Sequence, residues 1–171
     1  SKTSSNAYLL WPAHIGPFTF IKGSHYKNLD ISSFPFSFLV EDDRGSVPMP
    51  ALNLVNVGTV RDSLKWPERD RRNDSKILDK INFDLLNPYT VGKIVEGRDI
   101  LQNLKSQRAD DIPYYMYHNV RIKGSLMNNG IKLYQMGINI YLGDTLMKRL
   151  ENKVFGSLQE ILERLSPSSD K

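Results

Sequence analysis

The side chains best able to do chemistry in this chain gather in one stretch, Gly58-Thr59-Val60-Arg61-Asp62-Ser63-Leu64-Lys65-Trp66-Pro67-Glu68-Arg69-Asp70-Arg71-Arg72. It holds five basic residues, three acidic ones and a tryptophan. A Gly-Thr turn running into a helix start offers backbone N–H groups suited to a phosphate. Arg61, Lys65, Arg69 and Arg72 could grip phosphate oxygens, the arginines in forked fashion, while Trp66 stacks on a sugar or base face. The plain alternative is a solvated surface helix whose Asp62, Glu68 and Asp70 neutralise its own cations. No Gly-Lys-Ser/Thr follows a glycine-rich run, so this is not a Walker loop.

Histidine supplies the second kind of candidate, since its proton exchanges near neutral pH and suits a general base. There are three: His14, His25 and His118. His25 is the one placed to point inward and the candidate for catalysis. No two histidines have metal-ligand spacing. The acid pairs Asp42-Asp43 and Asp110-Asp111 sit in turn-like segments, and Tyr114-Tyr115-Met116-Tyr117 reads as packing or interface. A Gly-x-Ser-x-Gly elbow is absent, which weakens a hydrolase reading.

These groups need a frame, and the first informative pattern is a period of six. Leu9, Ile15 and Ile21 stand six apart, and the fifth place of each hexad holds Ala13, Thr19 and His25. The middle hexad, Ile15-Gly16-Pro17-Phe18-Thr19-Phe20, has the form aliphatic, Gly, two free positions, small, free. Three such hexads make one coil of a parallel β-helix, each flat side using about six residues. The spacing alone also fits an ordinary pair of strands, Ala7 to Trp11 and Phe18 to Ile21, turned at Pro12 and Pro17. A lone coil cannot bury its interior, so the β-helix reading expects preceding coils on this or another chain.

Beyond Asn28 the hexad stops. Phe34, Phe36 and Phe38 alternate along an expected strand, Asp42-Asp43-Arg44-Gly45 forms a polar turn, and Val47 to Val57 returns as a second strand. Thr59 is expected to cap a short helix through Lys65, ended by Pro67. Asp74 or Ser75 opens another short helix carrying Ile77, Leu78 and Ile81. Asn87-Pro88 begins a long helix with an apolar stripe of Val91, Ile94, Val95, Leu101 and Leu104. A strand from Tyr114 to Ile122 follows. A helix from Asn129 to Leu142 is next, interrupted at Gly143-Asp144 and resumed through Leu150, and a last helix is capped by Ser157 with Glu160. Ser166-Pro167-Ser168-Ser169 is a frayed tail.

Composition sets outer bounds. The chain has 171 residues, 40% hydrophobic and 25% charged, with a net charge of +4. The charge is too mild, and its bases too interleaved with acids, to point to nucleic acid. No cysteine occurs, which removes disulfides, thiolate metal sites and thiol nucleophiles, and a reducing cytoplasm is the expected compartment. No apolar run approaches a membrane span of roughly 20 residues. A start at Ser1 without Met or an apolar leader reads as a fragment.

Two long runs, Ser1 to Gly16 and Leu54 to Arg72, with Leu85-Leu86-Asn87-Pro88-Tyr89-Thr90 and Asn128-Asn129-Gly130-Ile131, resemble a family of large bacterial proteins of unknown function built on a hexapeptide-repeat, left-handed β-helix. Its members are often described as glucose-1-phosphate thymidylyltransferase or acyltransferase-like. The resemblance implies a mixed α+β chain: the final coil of a left-handed parallel β-helix, a β-hairpin and a C-terminal helical region. The division falls at 1–58 and 59–171. The leading expectation is a transferase acting on an anionic small molecule, a sugar phosphate or nucleotide sugar, with His25 as base and Arg61, Lys65, Trp66, Arg69 and Arg72 binding substrate; the resemblance itself supplies no mechanism. A homo-oligomer formed through the β-helix is the accompanying expectation, and no cofactor is specified. The alternative is a non-catalytic module that caps the β-helix or joins subunits. A nucleotidyltransferase would require a Rossmann-like domain with a glycine-rich nucleotide loop, and none is found here; fold analogy is weak evidence for activity.

Overall fold

The computed structural model describes residues 1–72, 81–107, 112–151 and 154–165. The expected helix at Asp74 or Ser75, the Asp110-Asp111 pair and the Ser166–Ser169 tail lie outside these residues.

The first 31 residues fold as six two-residue strands: β1 (Lys2–Thr3), β2 (Tyr8–Leu9), β3 (His14–Ile15), β4 (Phe20–Ile21), β5 (Ser24–His25) and β6 (Asp30–Ile31). They pair in parallel on three separate ladders, β1 with β4, β2 with β5 and β3 with β6. Lys2 lies opposite Phe20, a step of 18 residues, whereas Tyr8 lies opposite Ser24 and His14 opposite Asp30, steps of 16. The chain thus passes over itself in flat stretches too short for longer strands. Leu9, Ile15 and Ile21 each end a strand, and their partners one turn on are His25, Ile31 and Leu39. The strict hexad breaks because the step from Ile21 to His25 is four residues and that from Ile31 to Leu39 is eight. The fifth-place residues Ala13, Thr19 and His25 are all buried. Gly16 is required by close approach, since a Cβ there would stand 2.6 Å from the Phe34 carbonyl oxygen.

Parallel order ends at β7 (Phe38–Asp42), which pairs in parallel with β4 on one side and antiparallel with β8 (Gly45–Met49) on the other. The hairpin turns at Asp43-Arg44, where the sequence places it. Its arms are shorter than expected. Phe34 and Phe36 do not share a strand with Phe38. They lie in the segment leading to β7, Phe36 at φ +54°, and both are fully buried, so burial and not strand alternation accounts for these two, while Phe38 is half-buried at the start of β7. The second arm stops at Met49, and Leu52–Val55 wind into a short 3-10 helix where a strand to Val57 was expected.

Helix α1 (Val57–Arg69) follows, then α2 (Pro88–Ser106), the hairpin of β9 (Tyr114–Tyr117) and β10 (Val120–Lys123), α3 (Gly124–Leu150) and α4 (Leu158–Leu165). Asn87 caps α2 by accepting from the amides of Tyr89 and Thr90, with Thr90 answering in a capping box. The run from Tyr114 to Ile122 is two strands, not one, because His118 takes a left-handed conformation (φ +47°) that reverses the chain. Helix α3 runs through Gly143-Asp144 unbroken for 27 residues; one glycine in a long helix costs only about 1 kcal/mol against its neighbours' bonding.

The whole molecule is a mixed α+β structure of four described helices and several small sheets, none of them closed. Ile21, Leu29, Ile31, Phe34, Phe36 and Leu39 from the strands and the turns between them form one apolar cluster with Ile94, Leu101, Val120, Ile122, Met127 and Tyr134 from the later elements. That cluster draws on both sides of the expected 58/59 division. Polar contacts fix the join. The Tyr134 hydroxyl donates to the Pro35 carbonyl at 2.8 Å, the Ser33 hydroxyl donates to Glu96 at 2.5 Å, and Arg121 pairs with Asp42. Gly97 lets α2 approach this closely, for a Cβ there would stand 2.4 Å from the Ser33 carbonyl oxygen.

Candidate functional site

Helix α1 carries the charged stretch. Asn56, not Thr59, caps it: its side chain accepts from the Gly58 amide at 2.7 Å, and its carbonyl takes the amides of Thr59 and Val60. The Gly-Thr turn therefore lies inside the helix, and the N–H groups expected to be open to a phosphate are taken. The helix also passes Pro67 and ends at Arg69, because a proline in the last turn forfeits a single i−4 bond.

Arg61, Lys65 and Arg69 follow one another at intervals of four, which sets them in a row along one side of α1. Arg61 leans on Asp62 at 3.4 Å, and Lys2 reaches the same carboxylate at 3.0 Å. The Lys2 hydrogen bond is the main reason that the Asp62 carboxyl sits below its usual range. Arg72 turns back on Asp70, donating from Nε at 2.7 Å and from Nη2 to the other oxygen. Lys65 and Arg69 form no ion pair among the described residues. Trp66 is 57% exposed and, one residue on from Lys65, stands about 100° round the helix from the cationic row. No residue of α1 is buried.

His25 lies elsewhere, inside the stacked strands with no exposed surface. Its Nδ1 is 2.8 Å from the Ser46 hydroxyl on β8, while Nε2 has no hydrogen-bond partner among the described residues. Burial pushes the imidazole below the usual histidine range, against weaker upward pulls from the Lys22 carbonyl and the Glu41 carboxylate. The sequence-derived site thus falls into two parts, a buried neutral ring and a solvated row of cations.

A third grouping comes from parts of the chain with no sequence signal linking them. His14 on β3 and His118 in the β9–β10 turn both act on Asp30 of β6. Burial opposes ionisation of Asp30, but the Ser32 hydroxyl and amide, then the two histidines, outweigh it and hold the carboxyl low. Beside it Glu96 accepts from Lys93 at 2.8 Å and from Ser33, and burial raises the Tyr117 phenol nearby. These residues meet only because α2 and the β9–β10 hairpin fold against the β3–β6 ladder. Among the described residues no group of three His, Asp or Glu side chains has the geometry to hold a metal. Nor is any described helix long and apolar enough to cross a membrane.

Residues 1–105 match a family described as a domain of unknown function, DUF4954. The chain belongs to that family. The match covers the stacked strands, the first hairpin, α1 and nearly all of α2, and stops before the β9–β10 hairpin and α3. No curated protein and no solved structure matches the chain.

Proposed function

We propose that this chain is a non-catalytic end module that closes one end of a left-handed parallel β-helix of the hexapeptide type. One observation carries the reading. Three parallel ladders, stepping by 16 or 18 residues a turn, run in the same sense until β7, where the antiparallel β8 ends the series. The α2 and α3 helices then add Ile94, Leu101 and Tyr134 to the apolar cluster that holds Ile31, Phe34 and Leu39. An antiparallel strand and covering helices are how a stack of parallel coils avoids leaving an adhesive edge. The opposite edge, β1, β2 and β3, bonds to β4, β5 and β6 on one side only, as a surface that continues into further coils would. Subunits joining through such coils would make the homo-oligomer.

The competing reading is a transferase acting on a sugar phosphate or nucleotide sugar. Its support is Lys65 and Arg69, which form no ion pair among the described residues, in line with Arg61 on α1. It requires His25, now sealed beside Ser46, to reach a substrate, and it requires the Arg72 and Trp66 side chains to turn toward the row. Heating the protein with and without millimolar nucleotide sugar, sugar phosphate or acyl-CoA separates the two. A ligand at 100 times its Kd would add about 2.7 kcal/mol of stability. The end-module reading predicts no change in melting temperature. A rise of several degrees that Lys65→Ala and Arg69→Ala together abolish would establish the transferase reading instead.

A further inference from the structure

The covering hairpin is joined to the coil interior through a histidine that has no room for a second proton, and we propose that His25 and Ser46 form an acid-released latch between them. His25 belongs to β5, in register with Leu9 of the preceding turn, and it takes a position that β2, β3, β4, β6 and β7 fill with Leu or Ile. A histidine in that place has to satisfy two ring nitrogens where an aliphatic side chain has none. Ser46 of β8 meets Nδ1, and Nε2 goes without. The neutral ring tolerates this arrangement as the tautomer whose Nδ1–H donates to the Ser46 hydroxyl oxygen, leaving only an unused lone pair at Nε2. The imidazolium does not, because both nitrogens must then donate and the charge lies out of contact with water.

The groups that face the ring are few. Ser46 comes from β8 and is uncharged, Leu9 from β2 is apolar, and the Lys22 carbonyl belongs to the corner just before β5. The one charged neighbour is Glu41 on β7, and its carboxylate is already engaged by the Ser24 amide at 2.8 Å. Glu41 therefore favours the cation only weakly, and burial prevails. Protonation is relieved by letting β8 lift, which wets both His25 and Ser46. Because β10 packs directly against β8, the lift is transmitted to the β9–β10 hairpin rather than confined to one side chain. The latch holds at neutral pH and loosens as pH falls below the ordinary histidine value.

Amide hydrogen exchange of residues 45–49, followed together with the His25 Cε1 proton resonance between pH 7.5 and 5, tests the latch. The expected result is that His25 takes up its proton with a midpoint below about 6.5, and that protection of the β8 amides falls at least tenfold over the same interval. In His25→Gln, which keeps a polar group beside Ser46 but cannot be protonated, that acid-dependent fall should vanish. Ser46→Ala should retain the fall, since protonation still places an N–H at Nε2, which has no hydrogen-bond partner among the described residues. Proton uptake by His25 with β8 protection unchanged would overturn the proposal, as would an equal acid response in His25→Gln. Should the glutamine variant not fold, the coincidence of the two titrations in the native chain and in Ser46→Ala decides the matter.

Discussion

Ser33 and Glu96 show how much one contact can ask of a side chain. Ser33 is buried, Glu96 is exposed, and the hydroxyl spans from a turn of the strand stack to α2. Replacing Ser33 with Ala removes the donor but leaves Glu96 paired with Lys93 and open to water. The expected loss is about 1 kcal/mol in urea unfolding, the worth of one net hydrogen bond. A loss above about 3 kcal/mol would mean that the Ser33 contact organises more than the join. By contrast, Lys65→Ala and Arg69→Ala should each change stability by less than about 0.5 kcal/mol, as exposed groups with no ion pair among the described residues do. At this scale the sequence was informative about residue type and misleading about company. It marked His25 as inward-pointing, and it is buried. The pairing of Arg72 with Asp70 is local and was anticipated by the surface-helix alternative, but the action of His14 and His118 on Asp30 was not legible, because it depends on how the β9–β10 hairpin docks.

Among the elements, α2 and α3 give opposite tests of the same substitution. Gly97 faces the Ser33 carbonyl, and an added methyl group would overlap it, so Gly97→Ala should destabilise the protein by about 1–3 kcal/mol through a forced shift of α2. Gly143 sits mid-helix with nothing within 4 Å of an added Cβ. Gly143→Ala should therefore stabilise by about 0.5–1 kcal/mol, the helix propensity difference alone. Thermal unfolding of the two variants measures both signs. If Gly143→Ala destabilised, α3 would not be continuous there. The same glycine explains a failure of sequence reading. Gly143-Asp144 looks like a helix break by local preference, yet the helix continues. The caps at Asn87 and Ser157 were legible because capping is local: two or three residues supply donor and acceptor together. The 3-10 helix at Leu52–Val55 was not, since Asn53 is drawn in by the distant carbonyls of Phe18 and Phe36.

For the molecule as a whole, the decisive feature is the step at which the chain lies over itself. Half of that step was readable from Leu9, Ile15 and Ile21. The other half was hidden because the next turn keeps the register while shifting its corners by two residues, so that His25 and Ile31 fall two places short of a strict hexad, which Leu39 rejoins. The parallel stacking supports the end-module reading, and it is also what places His25 beneath the hairpin. The chain contains no cysteine, so a pair can be introduced without competition. Tyr8 and Ser24 are opposite one another on the β2–β5 ladder, at a Cα separation suited to a disulfide. In Tyr8→Cys combined with Ser24→Cys, mild oxidation should form an intramolecular bond nearly completely, detectable by intact mass and peptide mapping, while a control pairing Tyr8→Cys with Asp30→Cys should stay reduced. Equal oxidation of the two pairs, or none in the first, would contradict the stacked parallel coils on which the account rests.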